Sequence, residues 1–128
     1  MTMTQTQPAI RILAADYDRL VNLAEGATGM PETAGFLMQE LDRAQLVSNP
    51  AIAAVQMGSR VRYRDHASNR EQEVQLVYPA EADMSRGRVS VLTPIGAALI
   101  GLEEGATIAW RDRSGQEKTL TVLEVVAG

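Results

Sequence analysis

The stretch Arg88–Gly105 reads RVSVLTPIGAALIGLEEG, and its hydrophobic period changes halfway along. In its first residues, Val89 and Val91 alternate with Ser90 and Leu92. A period of two is typical of a partly buried strand and places the two valines on one face. Because the second half abandons this alternation, a different element has to follow the strand.

A short helix is predicted directly after that strand. Thr93 is a favourable N-cap, and Pro94 suits the first helical position because the N–H that proline lacks would be unpaired there. Gly101 can adopt the left-handed conformation that ends a helix. A single apolar stripe is expected between these signals, at Ile95, Ala98 and Leu99.

The chain after this helix is predicted to return to a sheet. Ile108 and Trp110 share one face of a strand over Ala106–Arg111, and the turn Asp112–Gly115 leads into a last strand, Glu117–Val126. In that last strand the apolar positions change face partway along. The change predicts a β-bulge or burial on both faces.

Two further strands are predicted upstream, joined by the turn Asp65–Asn69. In the first, Val61 and Tyr63 point to one face. The second covers Glu71–Tyr78, and the polar loop Glu81–Gly87 follows it. Three arginines occupy the opposite face of the first strand, namely Arg60, Arg62 and Arg64.

The first part of the chain is predicted to form two helices. Apolar residues recur at intervals of three and four from Ala14 to Glu25, and Pro31 opens a second helix whose apolar stripe extends to Ala44. At ~1.5 Å per residue these helices would be roughly 18 and 25 Å long. We expect a short antiparallel hairpin that bends at Gly26–Met30 and ends at Asn49–Pro50.

The composition limits the class of protein. A chain of 128 residues is the size of one ordinary domain, or of a small domain with an appendage. It has no cysteine, which excludes disulfides and fits a reducing compartment. Residues 1–9 lack the basic start and apolar run of a signal peptide, and no later run is long enough to span a membrane. We therefore expect a cytoplasmic protein with a disordered tail over residues 1–9.

Residues 89–108, VSVLTPIGAALIGLEEGATI, resemble the signature of the C-terminal domain of Gre transcript-cleavage factors. That signature is a strand, Ser-Pro-Ile, a short helix, a glycine and a Glu-Gly turn. Gre factors usually carry an arginine where this chain has Ala97, which places it with Rnk, the Gre-like branch called regulator of nucleoside diphosphate kinase. Three more strings resemble the Rnk branch: ELDRAQ at 40–45, MGSRVRYRD at 57–65 and LVYPA at 76–80.

The resemblance implies an α+β architecture in two parts. Residues 10–50 would form the short antiparallel helical hairpin, and residues 51–128 an FKBP-like antiparallel sheet with one covering helix. In Gre factors the matching loop faces RNA polymerase at the rim of its secondary channel, so Thr93, Pro94 and Ile95 are candidate polymerase-binding residues. The alternative is that these three residues only cap and begin the helix.

No residue pattern predicts a catalytic or metal site. His66 lies in a polar turn without the further ligands that a zinc site takes, and no serine lies in a nucleophile motif. In Gre factors a much longer coiled coil carries an Asp and a Glu at its tip to hold a catalytic magnesium ion. Here the bend Gly26–Met30 has no acid, and only Glu25 and Glu32 flank it. We therefore expect no enzyme activity, no cofactor, no metal and no stimulation of transcript cleavage.

The row of Arg60, Arg62 and Arg64 has two interpretations. Three arginines on one strand face can attract an acidic protein surface or a phosphate backbone. They can also form a solvated row that pairs across the sheet, and this is favoured because partners are available on the next strand. Those partners are Glu71, Glu73 and Gln75.

The predicted function is a non-catalytic, monomeric, RNA polymerase-binding transcription regulator that docks near the secondary channel and competes with Gre factors. An FKBP-like architecture would also suit a peptidyl-prolyl isomerase or chaperone module, although few aromatic residues are available to line its apolar pocket. Direct nucleic-acid binding through the arginine row would show a steep salt dependence. A formal net charge of −4 argues against it, so specific DNA or RNA binding is not expected.

Overall fold

The computed structural model describes residues 8–48 and 54–127. Most of the predicted tail over residues 1–9 lies outside the described residues, as do Asn49–Pro50 and the first part of the predicted linker. The strands and α-helices of the described residues are β1 Arg11–Leu13, α1 Ala14–Gly26, α2 Pro31–Asp42, β2 Gln45–Val47, β3 Arg60–Asp65, β4 Arg70–Val77, β5 Arg88–Ser90, α3 Pro94–Leu99, β6 Thr107–Arg111 and β7 Glu117–Val126.

The second helix is shorter than the sequence predicts. α2 ends at Asp42, so its length is about 18 Å at 1.5 Å per residue and not 25 Å. The chain then forms β2, which pairs in parallel with β1, and the Gln45 N–H donates to the Ile10 carbonyl at 2.9 Å. Prediction of a helix beyond Asp42 was wrong because this pairing with a distant segment outweighs the local helical pattern.

A five-stranded sheet forms the other half of the fold, in the order β5-β4-β3-β7-β6. All its neighbouring pairs are antiparallel except β4 and β5, which are parallel. The α+β class predicted from the sequence is confirmed, but the sheet is mixed and not wholly antiparallel. β5 also ends at Ser90, before the predicted alternation runs out, because the chain turns there into α3.

The predicted irregularity of the last strand is present as a β-bulge. Arg62 lies opposite Glu124 and Tyr63 lies opposite Val122, so Leu123 is the extra residue on β7. Val122 and Val125 lie opposite Tyr63 and Val61, which share one face of β3. The bulge therefore returns Val125 to the face that Leu120 and Val122 occupy, where it packs against the core.

One hydrophobic core joins the helices and the sheet. Leu20 of α1 and Leu37 of α2 are fully buried in the same cluster as Leu99 of α3 and Leu120 of β7. α3 packs against both α2 and β6. The predicted single apolar stripe of α3 was therefore incomplete, since Gly96, Ala97, Ala98 and Leu99 are all buried. Within the described residues, no helix is both long and apolar enough to cross a membrane.

Candidate functional site

The turn between β5 and α3 is held by a compact set of hydrogen bonds. The Thr93 hydroxyl accepts from the Gly96 N–H at 3.1 Å and donates to the Ser90 carbonyl at 2.7 Å. The Ser90 hydroxyl in turn accepts from the Leu92 N–H at 3.0 Å. The predicted N-cap at Thr93 is thus present, with Pro94 at the first position of the helix.

The three candidate polymerase-binding residues do not all face the same surface. Thr93, Pro94 and Ile95 are each partly exposed. Pro94 lies in the wall of a groove of about 680 Å³ between the helical hairpin and the β6–β7 turn. Thr93 and Ile95 are outside the lining of this groove, and the Thr93 hydroxyl is already engaged in capping α3.

This groove, called here the Trp110 groove, combines apolar and charged side chains. Phe36 of α2 and Trp110 of β6 lie in its lining with Pro94. The Trp110 indole N–H is buried without a hydrogen-bond partner among the described residues, and the Lys118 ammonium lies 6.0 Å from the ring centroid. The charged members of the lining are Glu32, Arg111, Asp112, Arg113 and Glu117.

The Asp112 side chain fixes the turn at one end of the Trp110 groove. Its Oδ1 accepts from the Ser114 hydroxyl at 2.5 Å, from the Ser114 N–H at 2.9 Å and from the Gln116 N–H at 3.1 Å. The hydrogen bond from the Ser114 hydroxyl is the main reason that the pKa of Asp112 lies below its ordinary value. Arg113 is therefore presented from a well-defined turn.

Two of the three arginines in the predicted row are paired with acids. Arg62 Nη1 lies 2.8 Å from Glu71 Oε1, and Arg64 Nη2 lies 3.0 Å from Glu71 Oε2. Arg62 Nε also lies 3.6 Å from Glu124 Oε1. These hydrogen bonds, from Arg64 first and then Arg62, lower the pKa of Glu71. Arg60 takes no part in this network.

The remaining polar candidates do not converge on a catalytic arrangement. His66 Nε2 lies 2.8 Å from the Thr121 hydroxyl in an exposed turn. Glu103 pairs with Arg11 at 3.5 Å, whereas Glu104 accepts from the Val125 N–H at 2.8 Å. In the part of the chain that the structure describes, no group of three or more metal-ligating side chains is present.

Sequence reasoning missed the Trp110 groove. It placed Trp110 on the same strand face as Ile108, and Ile108 is indeed buried. It gave no sign that α2 would lie beside this strand and supply Phe36 and Glu32. Alternation specifies a face of a strand, but the segment that packs next to that face depends on tertiary contacts.

Comparison with known proteins matches two families in succession along the chain. Residues 8–47 match the model of the Rnk N-terminus, and residues 50–127 match that of the C-terminal region of the transcription elongation factors GreA/GreB. The regulator of nucleoside diphosphate kinase of Escherichia coli K12 is 38% identical over 124 residues, which cover 94% of this chain and 90% of the relative.

Two further relatives extend the comparison. A prokaryotic transcription elongation factor GreA/GreB from Nitrosomonas europaea, of known structure, is 36% identical with a TM-score of 0.73, and the match covers 94% of this chain and 99% of that one. GreA of Thermodesulfovibrio yellowstonii is 38% identical over 74 residues, which are 56% of this chain and 47% of GreA. The turn at Thr93, the short helix α3 and the sheet around them therefore lie in a GreA/GreB C-terminal region, and the chain belongs to the Rnk branch of the GreA/GreB transcription elongation factor family.

Proposed function

We propose that this protein is a non-catalytic transcription regulator that binds RNA polymerase near the secondary channel and limits the access of Gre factors. The relatives support the regulatory role, because they are named as a regulator and as transcription elongation factors. In this proposal the protein acts as a cytoplasmic monomer, without a cofactor and without specific affinity for DNA or RNA.

The form of the helical hairpin carries the proposal. α1 and α2 are only about 20 and 18 Å long at 1.5 Å per residue. Their inner sides are occupied by core packing, with Leu20 and Leu37 fully buried. The bend over residues 27–30 has no carboxylate. Because a hard divalent ion needs several oxygen ligands, such a bend is unsuited to deliver a catalytic magnesium ion.

The Trp110 groove is the surface that we assign to the polymerase. It contains tryptophan, arginine and proline side chains in a concave surface, and aromatic and arginine residues are enriched where proteins bind each other. Pro94 belongs to this surface, so the assignment retains one of the three residues suggested by the sequence. Thr93 and Ile95 would then act by fixing the turn and the start of α3.

The proposal is tested by co-purification of the tagged full chain with core RNA polymerase, with and without a Gre factor as competitor. We expect retention at micromolar concentrations and displacement by the competitor. Failure to retain polymerase would contradict the proposal, and retention that the Gre factor does not reduce would contradict the competition. Addition of the chain to a stalled elongation complex is expected to leave RNA length unchanged, whereas shortened RNA would refute the non-cleaving role.

The docking surface is tested by a charge reversal at its edge. Arg113→Glu changes a side chain on an exposed turn, so the fold is expected to persist. We expect polymerase binding to weaken about tenfold, as for a moderately important interface residue. The matched control is Arg70→Glu, an exposed position outside the groove lining, which should leave binding unchanged. Equal effects of the two variants would indicate that only total charge matters.

The isomerase alternative receives no support from the relatives, which are named as regulators and elongation factors. Tyr63 and Tyr78 of the sheet region do not join Phe36 and Trp110 in the groove lining, so an aromatic-lined pocket is not assembled there. A proline-isomerisation assay on a model peptide should show no acceleration.

A further inference from the structure

A second concave site lies on the sheet, where β3, β4 and β5 run side by side. It is a small polar pocket of about 240 Å³, called here the arginine pocket. Its lining consists of Arg60, Glu73, Val74, Gln75, Arg86, Gly87 and Arg88. Three guanidinium groups therefore border one pocket, although they come from two distant parts of the sequence.

Strand register explains why these side chains meet. Arg60 of β3 is the partner of Gln75 of β4, and Gln75 is in turn the partner of Arg88 of β5. Partners in register place their side chains on the same face of a sheet. Since neighbouring strands lie about 4.8 Å apart, the Cα atoms of Arg60 and Arg88 are separated by about 10 Å, and both side chains can reach a ligand between them.

The turn that presents Arg86 and Arg88 is held by the backbone. The Asp83 N–H donates to the Arg88 carbonyl at 3.0 Å, and the Arg88 N–H donates to the Asp83 carbonyl at 2.9 Å. The Gln75 N–H donates to the Gly87 carbonyl at 2.8 Å, which ties the turn to β4. Gly87 has a φ of 69°, a left-handed conformation that favours glycine. The pocket wall is thus built into the sheet edge.

The arginines of this pocket have fewer acidic partners than Arg62 and Arg64, which lie further along β3. Arg62 and Arg64 both pair with Glu71, but none of the described residues forms an ion pair with Arg60 or Arg88. Arg86 Nε lies 3.7 Å from Asp83 Oδ2. Glu73 is the one carboxylate in the pocket lining, and it forms no ion pair with a described residue. The pocket is therefore positive.

We propose that the arginine pocket binds a small phosphorylated ligand through a pyrophosphate group, with Arg60 and Arg88 donating to its oxygens from opposite sides. A guanidinium group matches two phosphate oxygens at once, and such charged hydrogen bonds are short and strong. The site is a small concavity of about 240 Å³ and not a long channel, and the net charge of −4 repels a long polyanion. Both features favour a small ligand over a nucleic-acid strand. This inference does not depend on polymerase binding.

The test is a titration of the ¹⁵N-labelled full chain with inorganic pyrophosphate, followed by NMR. We expect saturable shifts at the amides of Arg60, Glu73, Gly87 and Arg88. Arg60→Gln and Arg88→Gln should each weaken binding about tenfold, because each removes a charged hydrogen-bond donor. Glu73→Gln should strengthen binding several-fold, since it removes the carboxylate that repels the ligand.

The control is Arg70→Gln, which removes the same charge from β4 at a position outside the pocket lining and should change affinity less than about twofold. Absence of saturable shifts at millimolar pyrophosphate would overturn the proposal. An equal loss of affinity in Arg70→Gln and Arg60→Gln would also overturn it, and so would a lower affinity of Glu73→Gln for pyrophosphate. A nucleoside diphosphate should produce the same shifts as pyrophosphate. Tighter binding of single-stranded RNA, with a steep salt dependence, would show that the ligand is a nucleic-acid backbone and refute the proposed ligand class.

Discussion

Gly96 shows how a single atom decides whether the turn into α3 can form. A Cβ at this position would lie 2.1 Å from the Ser90 carbonyl oxygen and 2.9 Å from the Val91 Cα. These neighbours are backbone atoms, so they cannot move aside as a flexible side chain would. The absence of a side chain at residue 96 is therefore what permits the Ser90–Thr93 hydrogen bond and the burial of α3.

Gly96→Ala is expected to lower the free energy of unfolding by about 3 kcal/mol, because it forces overlap inside a packed turn. Urea unfolding monitored by circular dichroism measures this change. Gly35→Ala provides the control, since nothing lies within 4 Å of its added Cβ on the exposed side of α2. That variant should raise the free energy of unfolding by about 0.5–1 kcal/mol. Equal stability of Gly96→Ala and the native protein would disprove the steric explanation.

Glu40 and Arg43 form an ion pair at the end of α2, in which Glu40 is buried and Arg43 is partly exposed. Glu40 is only 4% exposed, and both its oxygens accept from Arg43, at 2.7 Å from Nη2 and 3.0 Å from Nε. Arg43 also donates to the Pro8 carbonyl, so it connects α2 to the residues before β1. These two residues belong to the ELDRAQ string, which indicates a structural role for that string.

Removal of the arginine would leave the Glu40 carboxylate buried without its partner. Arg43→Ala is therefore expected to lower the free energy of unfolding by about 2 kcal/mol, somewhat less than for a wholly buried pair because Arg43 is partly exposed. Urea unfolding measures the change, and Arg70→Ala, at an exposed site, should stay within about 0.5 kcal/mol of the native value. A loss no larger than in this control would show that Glu40 finds other hydrogen bonds.

The pKa of Glu71 reports on the paired part of the arginine row. Because its folded pKa is lowered, Glu71 stabilises the fold above the ordinary glutamate pKa of about 4.3, and this contribution is lost as pH falls through the lower folded value. Arg64→Gln should raise the Glu71 pKa toward the ordinary value, as measured by NMR titration of its carboxyl carbon. Arg113→Gln should leave it unchanged, and a similar shift in both variants would exclude a local cause.

The elements differ in how far local chemistry defines them. α3 begins with a capping threonine and a proline, and the turn before β7 is built by the Asp112 side chain, so both can be read from a few adjacent residues. β2 has no such local signature, since Leu46 is 50% exposed and its stability comes from pairing with β1. The helical pattern through Ala44 was a reasonable prediction that this pairing overrides.

The helical hairpin and the sheet are expected to unfold together, because they share one core. Leu37→Ala should lower the free energy of unfolding by about 3 kcal/mol, as for other buried leucines. Far-ultraviolet circular dichroism follows mainly the helices, whereas the NMR amide signals of β3 and β4 follow the sheet. The two signals should give the same urea midpoint in the native protein and in the variant. Separate midpoints would show that the hairpin unfolds on its own.

The reach of the whole molecule is set by the length of its helical hairpin. α1 and α2 extend about 20 Å at most, and much of that length packs against α3 and the core. Acidic residues at the bend would therefore remain far from a catalytic centre deep in a channel. In the proposed function, the hairpin is too short to approach the catalytic centre, and its bend also lacks carboxylates that could hold a metal ion. An experiment can separate these two causes.

A variant that carries Ala27→Asp and Thr28→Glu supplies the missing carboxylates without lengthening the helices. We expect this variant to bind polymerase like the native chain and still to leave the RNA of a stalled elongation complex uncleaved at millimolar magnesium. Cleavage by the variant, but not by the native chain, would show that tip chemistry alone limits activity. A Gre factor in the same assay serves as the positive control.

The amino-acid sequence by itself determined the family, the α+β class, the positions of α1 and α3, the Asp112 turn and the bulge in β7. Each of these depends on residues close together in the chain, through spacing, capping and turn chemistry. The division between a hairpin part and a sheet part near residue 50 stays a prediction.

The tertiary structure decided the pairing of β1 with β2, the parallel position of β5, the Trp110 groove and the arginine pocket. In each case the partners are distant in sequence, as Phe36 is from Trp110 and Arg60 from Arg88. Hydrophobic burial and strand pairing select such partners from many segments of similar composition. A local pattern therefore determines which face of a helix or strand a side chain lies on, whereas tertiary packing determines which residues it contacts there.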